Sequence, residues 1–323
     1  MTTVTAKKTI LTGEPMGLFI AEELGRLESV DHFSFTTCGA ELNVAIGMKR
    51  LGHSVAYMTK LGKDPFGARI TNRMRELGIA TDLVTYSEER PTGFMFKSMV
   101  TEGDPDIFYF RKGSAASTIG PEDVERLDLS DYDALHMTGI TPALSATARE
   151  AVFALAEAAR AGGLRFSFDP NLRLQLWPDR EEMVRCINQL AFRSDLFLPG
   201  IKEAKLLMGE EEPEKIAAYY LEHGAGAVVV KLGARGAYYA AGTQSGYVPG
   251  FHVEHIVDTV GAGDGFAAGV LTGLNEGLPL EGAVRRGCAI GAIQLMSKGD
   301  NDGLPSREEL EKFMAGDPDW RTA

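Results

Sequence analysis

Short apolar runs alternate along most of the chain with segments whose apolar residues recur at helical spacing. The runs at 54–57, 133–138, 164–169, 196–199 and 227–232 have strand character. Val228, Val229 and Val230 make one of them apolar on both faces, the pattern of a parallel strand covered by helices on either side. Between the runs, Asp64 and Pro65 mark a helix start, Ile70, Met74 and Leu77 share one face, and Gly78 stops it. Ser145 caps another helix, with Val152, Leu155, Ala156 and Ala159 facing inward and Gly162-Gly163 ending it. This rhythm predicts an α/β fold built on a doubly wound, mainly parallel sheet, with residues 1–323 forming a single domain.

Two segments break the rhythm. Residues 15–37 and 91–111 carry strand-like runs (Gly17–Ile20, Phe33–Phe35, Thr92–Met99, Ile107–Arg111) with no helix between them. Read from the residues alone, they are a pair of surface hairpins. Phe94, Phe96, Phe108 and Phe110 fall on alternate positions, and a small sheet cannot bury both faces alone. A homodimer or higher homo-oligomer, joined through these strands, is expected. The tail after Ala315 reads as frayed.

Charge and cysteine usage narrow the partners. The net charge of −12 over 323 residues argues against nucleic acid or an anionic membrane as partner, though local arginines can still hold an anionic substrate. Three cysteines, Cys38, Cys186 and Cys288, are far apart and odd in number, which fits neither a disulfide framework nor a zinc site. Met1–Lys8 is polar without an apolar signal core, and no window approaches the ~20 apolar residues that span a bilayer. A cytoplasmic location is expected.

The most informative string is Asp258-Thr259-Val260-Gly261-Ala262-Gly263-Asp264-Gly265-Phe266-Ala267-Ala268-Gly269. A glycine-bounded loop runs into a helix, where unpaired N–H groups and the helix dipole make a phosphate cradle. The amides of Gly261, Ala262 and Gly263 would hold the phosphate. An aspartate in the first turn would repel a bound anion, but it makes sense as a base that orients an attacking hydroxyl. Asp264 is therefore the candidate catalytic base of a kinase acting on an alcohol. A dinucleotide fingerprint would need glycine where Phe266 stands, and no P-loop sequence occurs. Without further context, an ordinary helix cap remains the bland alternative.

That string resembles the signature of the ribokinase / phosphofructokinase-B family of carbohydrate kinases. Cys38-Gly39-Ala40-Glu41-Leu42-Asn43-Val44-Ala45 and Leu61-Gly62-Lys63-Asp64-Pro65-Phe66-Gly67 resemble the family's earlier segments. Within the family, four further strings are similar to the 2-keto-3-deoxygluconate kinases: Gly13–Met16, Phe108–Ala115, Gly139–Ser145 and Asp169-Pro170-Asn171-Leu172-Arg173. The resemblance implies a ribokinase-like fold whose 15–37 and 91–111 segments form a β-lid over the sugar. It implies ATP-dependent phosphorylation of the keto-deoxy acid to its 6-phosphate with Mg²⁺, and leaves a monovalent cation open. A kinase of a neutral sugar (fructose, tagatose or ribose) and a catalytically silent sugar or nucleotide sensor are the rival readings.

The resemblance also distributes roles. Gly39, Asn43, Tyr109, Arg111, Arg173, Asp264 and Asp300 would contact the sugar acid, while Lys231, Gly233, Gly236, Gly261 and Gly263 would serve the nucleotide. Glu203 matches the family's magnesium-linked glutamate, although Gly200 stands where asparagine is usual. Arginine's planar fork suits a carboxylate, and Arg173 follows the apolar run Phe166–Asp169, at the strand rim where open α/β sheets bind ligands. Each role has a plainer rival. The arginines could be surface ion pairs, Glu203 a solvated first-turn residue, Lys231 part of a tight turn, and Asp300 an Asx turn. Cys38 replaces a family glycine and reads as a small buried residue, and Met95 stands where some relatives carry tyrosine. The run Lys298–Gly303 is rejected as a calcium loop, because a lysine holds the first ligand position and Pro305 interrupts it.

Overall fold

The computed structural model describes residues 8–101 and 105–321. The polar stretch read above at Met1–Lys8 lies outside these except for Lys8, as do residues 102–104 of the 91–111 segment and residues 322–323 of the tail. In chain order the strands are β1 (Lys8–Thr12), β2 (Met16–Leu24), β3 (Phe33–Cys38), β4 (Ser54–Gly62), β5 (Val84–Ser87), β6 (Phe94–Met99), β7 (Ile107–Phe110), β8 (Ala134–Thr138), β9 (Arg165–Asp169), β10 (Leu196–Phe197), β11 (Val228–Lys231), β12 (Ala237–Ala241) and β13 (Gln244–Val248).

Among the described residues, nine strands form one sheet in the order β13-β12-β11-β10-β9-β8-β1-β4-β5. The pairs from β11 to β5 are parallel. Successive side chains point to opposite faces, and here both faces are dry. Ile10 joins the core on one side of the sheet and Leu11 the core on the other. Val228 and Val230 likewise face one core and Val229 the other, all fully buried. The helix Ala146–Ala161 packs Val152, Leu155, Ala156 and Ala159 into the first core, and its Ser145 cap accepts from the Ala148 amide. Helices Ala40–Arg50, Pro65–Glu76, Ala262–Asn275 and Leu280–Leu295 cover the second face. Asp64 caps the Pro65 helix by accepting from the Gly67 amide.

The sheet departs from the parallel pattern at one edge, where β12 and β13 run antiparallel. A hairpin needs only a two-residue turn rather than a crossover helix, so this pair carries no intervening helical period to read. The tail also differs from its frayed reading: Trp320 packs edge-on against Phe313. No helix of the described residues is long and apolar enough to cross a membrane.

The two segments without helices supply a separate four-stranded sheet, ordered β3-β2-β6-β7. One face carries Met16, Leu18 and Met95, packed with Cys38. The other is a phenylalanine cluster: Phe19 stacks on Phe96 and Phe94 on Phe110, and Phe66 of the Pro65 helix stacks on Phe35. Phe108 and Phe110 at its edge remain 59% and 48% exposed.

Helices Ala262–Asn275 and Leu280–Leu295 approach so closely that a Cβ on Gly269 would lie 2.7 Å from the Gly287 Cα. Backbone cannot yield as a flexible side chain can. Gly269→Val should therefore destabilise the fold by about 1–3 kcal/mol, the usual cost of overpacking. Denaturant unfolding checks this, and an unchanged midpoint would mean the helices separate freely.

Candidate active site

The carboxyl ends of the parallel strands open on one edge of the sheet. There β9 ends in Asp169, β11 ends in Lys231, and the helix Ala262–Asn275 presents its first turn. A cavity of about 400 Å³ lies between this edge and the small sheet. It is lined by Gly39, Asn43, Tyr109, Arg111, Arg173, Glu203, Lys231, Gly261, Gly263, Asp264 and Asp300, which come from seven separate stretches of the sequence. A second, largely apolar cavity of about 650 Å³ lies beside it, lined by Gly233, Gly236, Phe251, Val253, Ala262, Phe266 and Leu295. Lys231, Thr259 and Gly263 line both. All the residues assigned from sequence thus fall in one of two adjoining hollows.

Gly261 adopts a left-handed conformation, φ 78°, that glycine takes without strain, and the helix begins at Ala262. A Cβ on Gly263 would meet nothing within 4 Å, so glycine here leaves room on the cavity side rather than avoiding a neighbour. The first amides of the helix have no partner within it and face that room. This is a space that fits a phosphate group.

Asp264 stands in the first turn of the helix. Its Oδ2 accepts from Asn43 Nδ2 at 2.8 Å and its Oδ1 from Asn171 Nδ2 at 3.3 Å. Asn171 has a φ of 36°, rare for a residue other than glycine. Burial pushes the Asp264 carboxyl up to about 7, with Asp169 and Asp300 adding to it and Asn43 and Arg173 opposing. A carboxylate poised near neutrality is suited to accepting a proton.

Lys231 donates to Asp169 Oδ2 at 2.6 Å and lies 4.0 Å from Glu203 Oε2. Burial alone would lower its pKa, but the two carboxylates outweigh it and hold the ammonium protonated. Glu203 is no free surface residue. Its Oε1 accepts from the Leu172 amide at 3.0 Å and its Oε2 from the Gly200 amide at 2.7 Å, while burial raises its carboxyl. The second bond closes the turn at Gly200, where the family's asparagine is missing.

The two arginines differ. Arg111 is buried and its Nε donates to Glu14 Oε2 at 2.7 Å, so its charge is already matched inside the protein. Arg173 is half-buried and donates only to the carbonyls of Asn171 and Leu172, at 3.4 and 3.1 Å. Tyr109 lies 5.6 Å from the Arg111 guanidinium, ring to cation. Asp300 is buried and pushed up to about 6, first by burial and then by Asp258 and Asp302, against the pull of Lys97. Burial holds the Cys38 proton on, so this thiol is a packing group and not a nucleophile.

Several residues of the site carry no role in the sequence reading. Glu14, Asp169 and Asn171 lie within recognised strings, and their proximity to Arg111, Lys231 and Asp264 depends on how β1, β9 and β11 align. Lys97 has no motif at all. Its ammonium, on β6, donates to Asp258 Oδ2 at 2.8 Å and ties the small sheet to the loop before Gly261. Asn301, beside Asn43, lies in the Lys298–Gly303 run rejected as a calcium loop and carries no role there.

Comparison with known proteins agrees with this geometry. The chain is 47% identical over 304 residues to a 2-dehydro-3-deoxygluconokinase of Bacillus subtilis (strain 168), covering 94% of each. Its fold is similar to the crystal structure of a PfkB protein from Polaromonas sp. JS666, with 44% identity, a TM-score of 0.86, and 95% of this chain and 99% of that one covered. It is also similar to a putative ribokinase II from E. coli in complex with ATP and Mg²⁺, with 25% identity, a TM-score of 0.85, and 96% and 99% covered. The family model for pfkB carbohydrate kinases matches residues 7–307, nearly the whole length, and the chain belongs to that family.

Proposed function

We propose that this protein transfers the γ-phosphoryl group of ATP to 2-keto-3-deoxygluconate (2-dehydro-3-deoxygluconate), giving the 6-phosphate and ADP. The observation that carries the substrate choice is Arg173, a guanidinium at the cavity whose only hydrogen bonds among the described residues are to carbonyls of its own loop. Asp264 and Asp300 lie within its field but neither is hydrogen-bonded to it, so its donors are open to an acidic ligand. The name of the Bacillus subtilis relative supports the same sugar acid. Glu14 compensates Arg111, so we assign the carboxylate chiefly to Arg173, with Arg111 and Tyr109 shaping the wall beside it. The neutral-sugar reading would leave Arg173 without a carboxylate in direct contact. The sensor reading leaves the basic Asp264 without a task.

In the proposed reaction Asp264 accepts the proton of the sugar hydroxyl as that oxygen forms its bond to phosphorus and ADP leaves. The amides at Gly261, Ala262 and Gly263 stabilise the charge on the transferring group. Lys231 stands where the two cavities meet and faces the same phosphate, and the apolar second cavity, with Gly233 and Gly236 at its rim, suits a purine. Bound with ATP, magnesium would neutralise phosphate charge. Among the described residues no cluster of three ligating side chains exists, which fits an ion held mainly by phosphates and water. Glu203 would serve the ion through bound water, since each of its oxygens already accepts a backbone N–H.

The small sheet is proposed as the lid of a single catalytic domain, and its phenylalanine face as the contact between copies of the chain. Three buried, unpaired cysteines accord with a cytoplasmic, reducing setting.

Four outcomes test this reading. Asp264→Asn keeps the shape and loses the base, so kcat should fall by on the order of 10²–10⁴ with a far smaller change in sugar KM. In the wild type, only the ionised carboxylate accepts a proton, so kcat/KM should rise with pH through a midpoint near 7. A limb centred in the ordinary aspartate range near ~4 would remove Asp264 from that role.

Arg173→Leu should lower kcat/KM for the keto-deoxy acid at least ~30-fold, the scale of losing one partner of a desolvated charge pair. Turnover of a neutral hexose should stay the same or rise. Equal losses on both substrates would place Arg173 with the phosphate or the fold.

Light scattering at micromolar concentration should show a dimer or larger. Phe108→Glu combined with Phe110→Glu should give monomers that still fold, and a wild-type monomer would refute the assembly.

A further inference from the structure

One buried amide beside the site has no assigned part. Asn301 follows Asp300 in the loop after the helix Leu280–Leu295 and is 7% exposed. Its Nδ2 donates to Asn43 Oδ1 at 2.9 Å and, at 3.4 Å, to the Thr37 carbonyl of β3. Asn43 lies in the first turn of the helix Ala40–Arg50 and is itself 2% exposed. Its own Nδ2 makes the 2.8 Å bond to Asp264 Oδ2, the shorter of the two amide bonds on that carboxylate. An amide side chain has one acceptor end and one donor end. Once its oxygen is claimed, its NH₂ group has to point the other way. With the amide reversed, the Asn43 oxygen would face a carboxylate oxygen with no proton between them.

We propose that Asn301 is a positioning residue for phosphoryl transfer: it fixes the polarity of the Asn43 amide and so keeps a hydrogen-bond donor on the catalytic carboxylate. The inference rests on Asp264 being the base. Neither asparagine titrates, so their influence on the rate passes through Asp264. The charged groups facing that carboxylate are Asp169 at the end of β9, Arg173 in the loop beyond it, Lys231 at the end of β11, and Asp300 next to Asn301 itself. Burial and the two aspartates favour the protonated, inactive form, while Arg173 and the Asn43 hydrogen bond favour the ionised one. Removing the orienting group should move the balance toward protonation. The active fraction at neutral pH then falls, and the acidic limb moves to higher pH.

Two variants separate orientation from added charge. Asn301→Leu removes the donor without adding charge. It should lower kcat several-fold near neutrality and move the acidic limb of sugar kcat/KM upward by up to about one pH unit, the equivalent of one hydrogen bond to a charged group. Asn301→Asp keeps the shape but offers only acceptors when ionised. It should draw the Asn43 NH₂ away from Asp264 and cost at least ~30-fold in kcat, with a larger limb shift in the same direction. In an Asn43→Ala background there is no amide to orient, so adding Asn301→Leu should change kcat and the limb by less than about two-fold, because coupled residues are non-additive.

A limb that stays in place, with equal losses in both backgrounds and a lower melting temperature, would overturn the proposal in favour of a purely structural Asn301. If Asn301→Asp fails to fold, Asn301→Leu and the double-variant comparison still decide. A failure of the underlying reading looks different: Asp264→Asn itself would then retain activity.

Discussion

A parallel sheet that is apolar on both faces constrains everything else in this protein. With Ile10 and Leu11, or Val228 and Val229, facing opposite cores, each face must be roofed by helices, and each crossover brings the chain back in the same direction. The carboxyl ends of β8, β9, β10 and β11 therefore share one edge, and the loops leaving them converge. Asp169, Asn171 and Lys231 meet there because the register pairs β9 with β8 and β10, and β10 with β11. The small sheet, which is not part of this layer, is free to stand over that edge.

Charge compensation then sorts the cavity. An ion taken from water is costly unless a partner and hydrogen bonds replace the solvent. Arg111 has Glu14, Lys97 has Asp258, and Lys231 has Asp169. Among the described residues Asp264 has no cation in salt-bridge contact and Asp300 only Lys97 at 3.9 Å, which Asp258 holds more closely, and both carboxyls move toward protonation. Arg173 is the converse case, with carbonyls alone to satisfy it. The groups least closely compensated are the ones at which a ligand has most to contribute.

Much of this was legible in the chain. The alternation of strand and helix, the caps at Asp64 and Ser145, and the cradle at Gly261–Gly263 depend on local periodicity and backbone chemistry, which a sequence displays directly. The family signatures likewise marked the residues that line the two cavities. Pairings across long separations were not legible. Glu14 and Arg111 are 97 residues apart and Lys97 and Asp258 161 apart, and nothing local tells either that the other exists. That is why the two arginines looked equivalent in sequence and differ in the fold. The β12–β13 hairpin was missed for a related reason, since it breaks the parallel pattern without any helix to mark the change.

Lys231 stands in the wall between the two cavities, with its ammonium on Asp169. Any anion that draws this ammonium toward the second cavity loosens it from Asp169 and alters the field that the first cavity presents. Thermodynamic linkage makes such an effect reciprocal: whatever factor one ligand imposes on the affinity of the other, it receives in return. Ligands in the two cavities, as in the proposed reaction, would thus be coupled through the Lys231 ammonium.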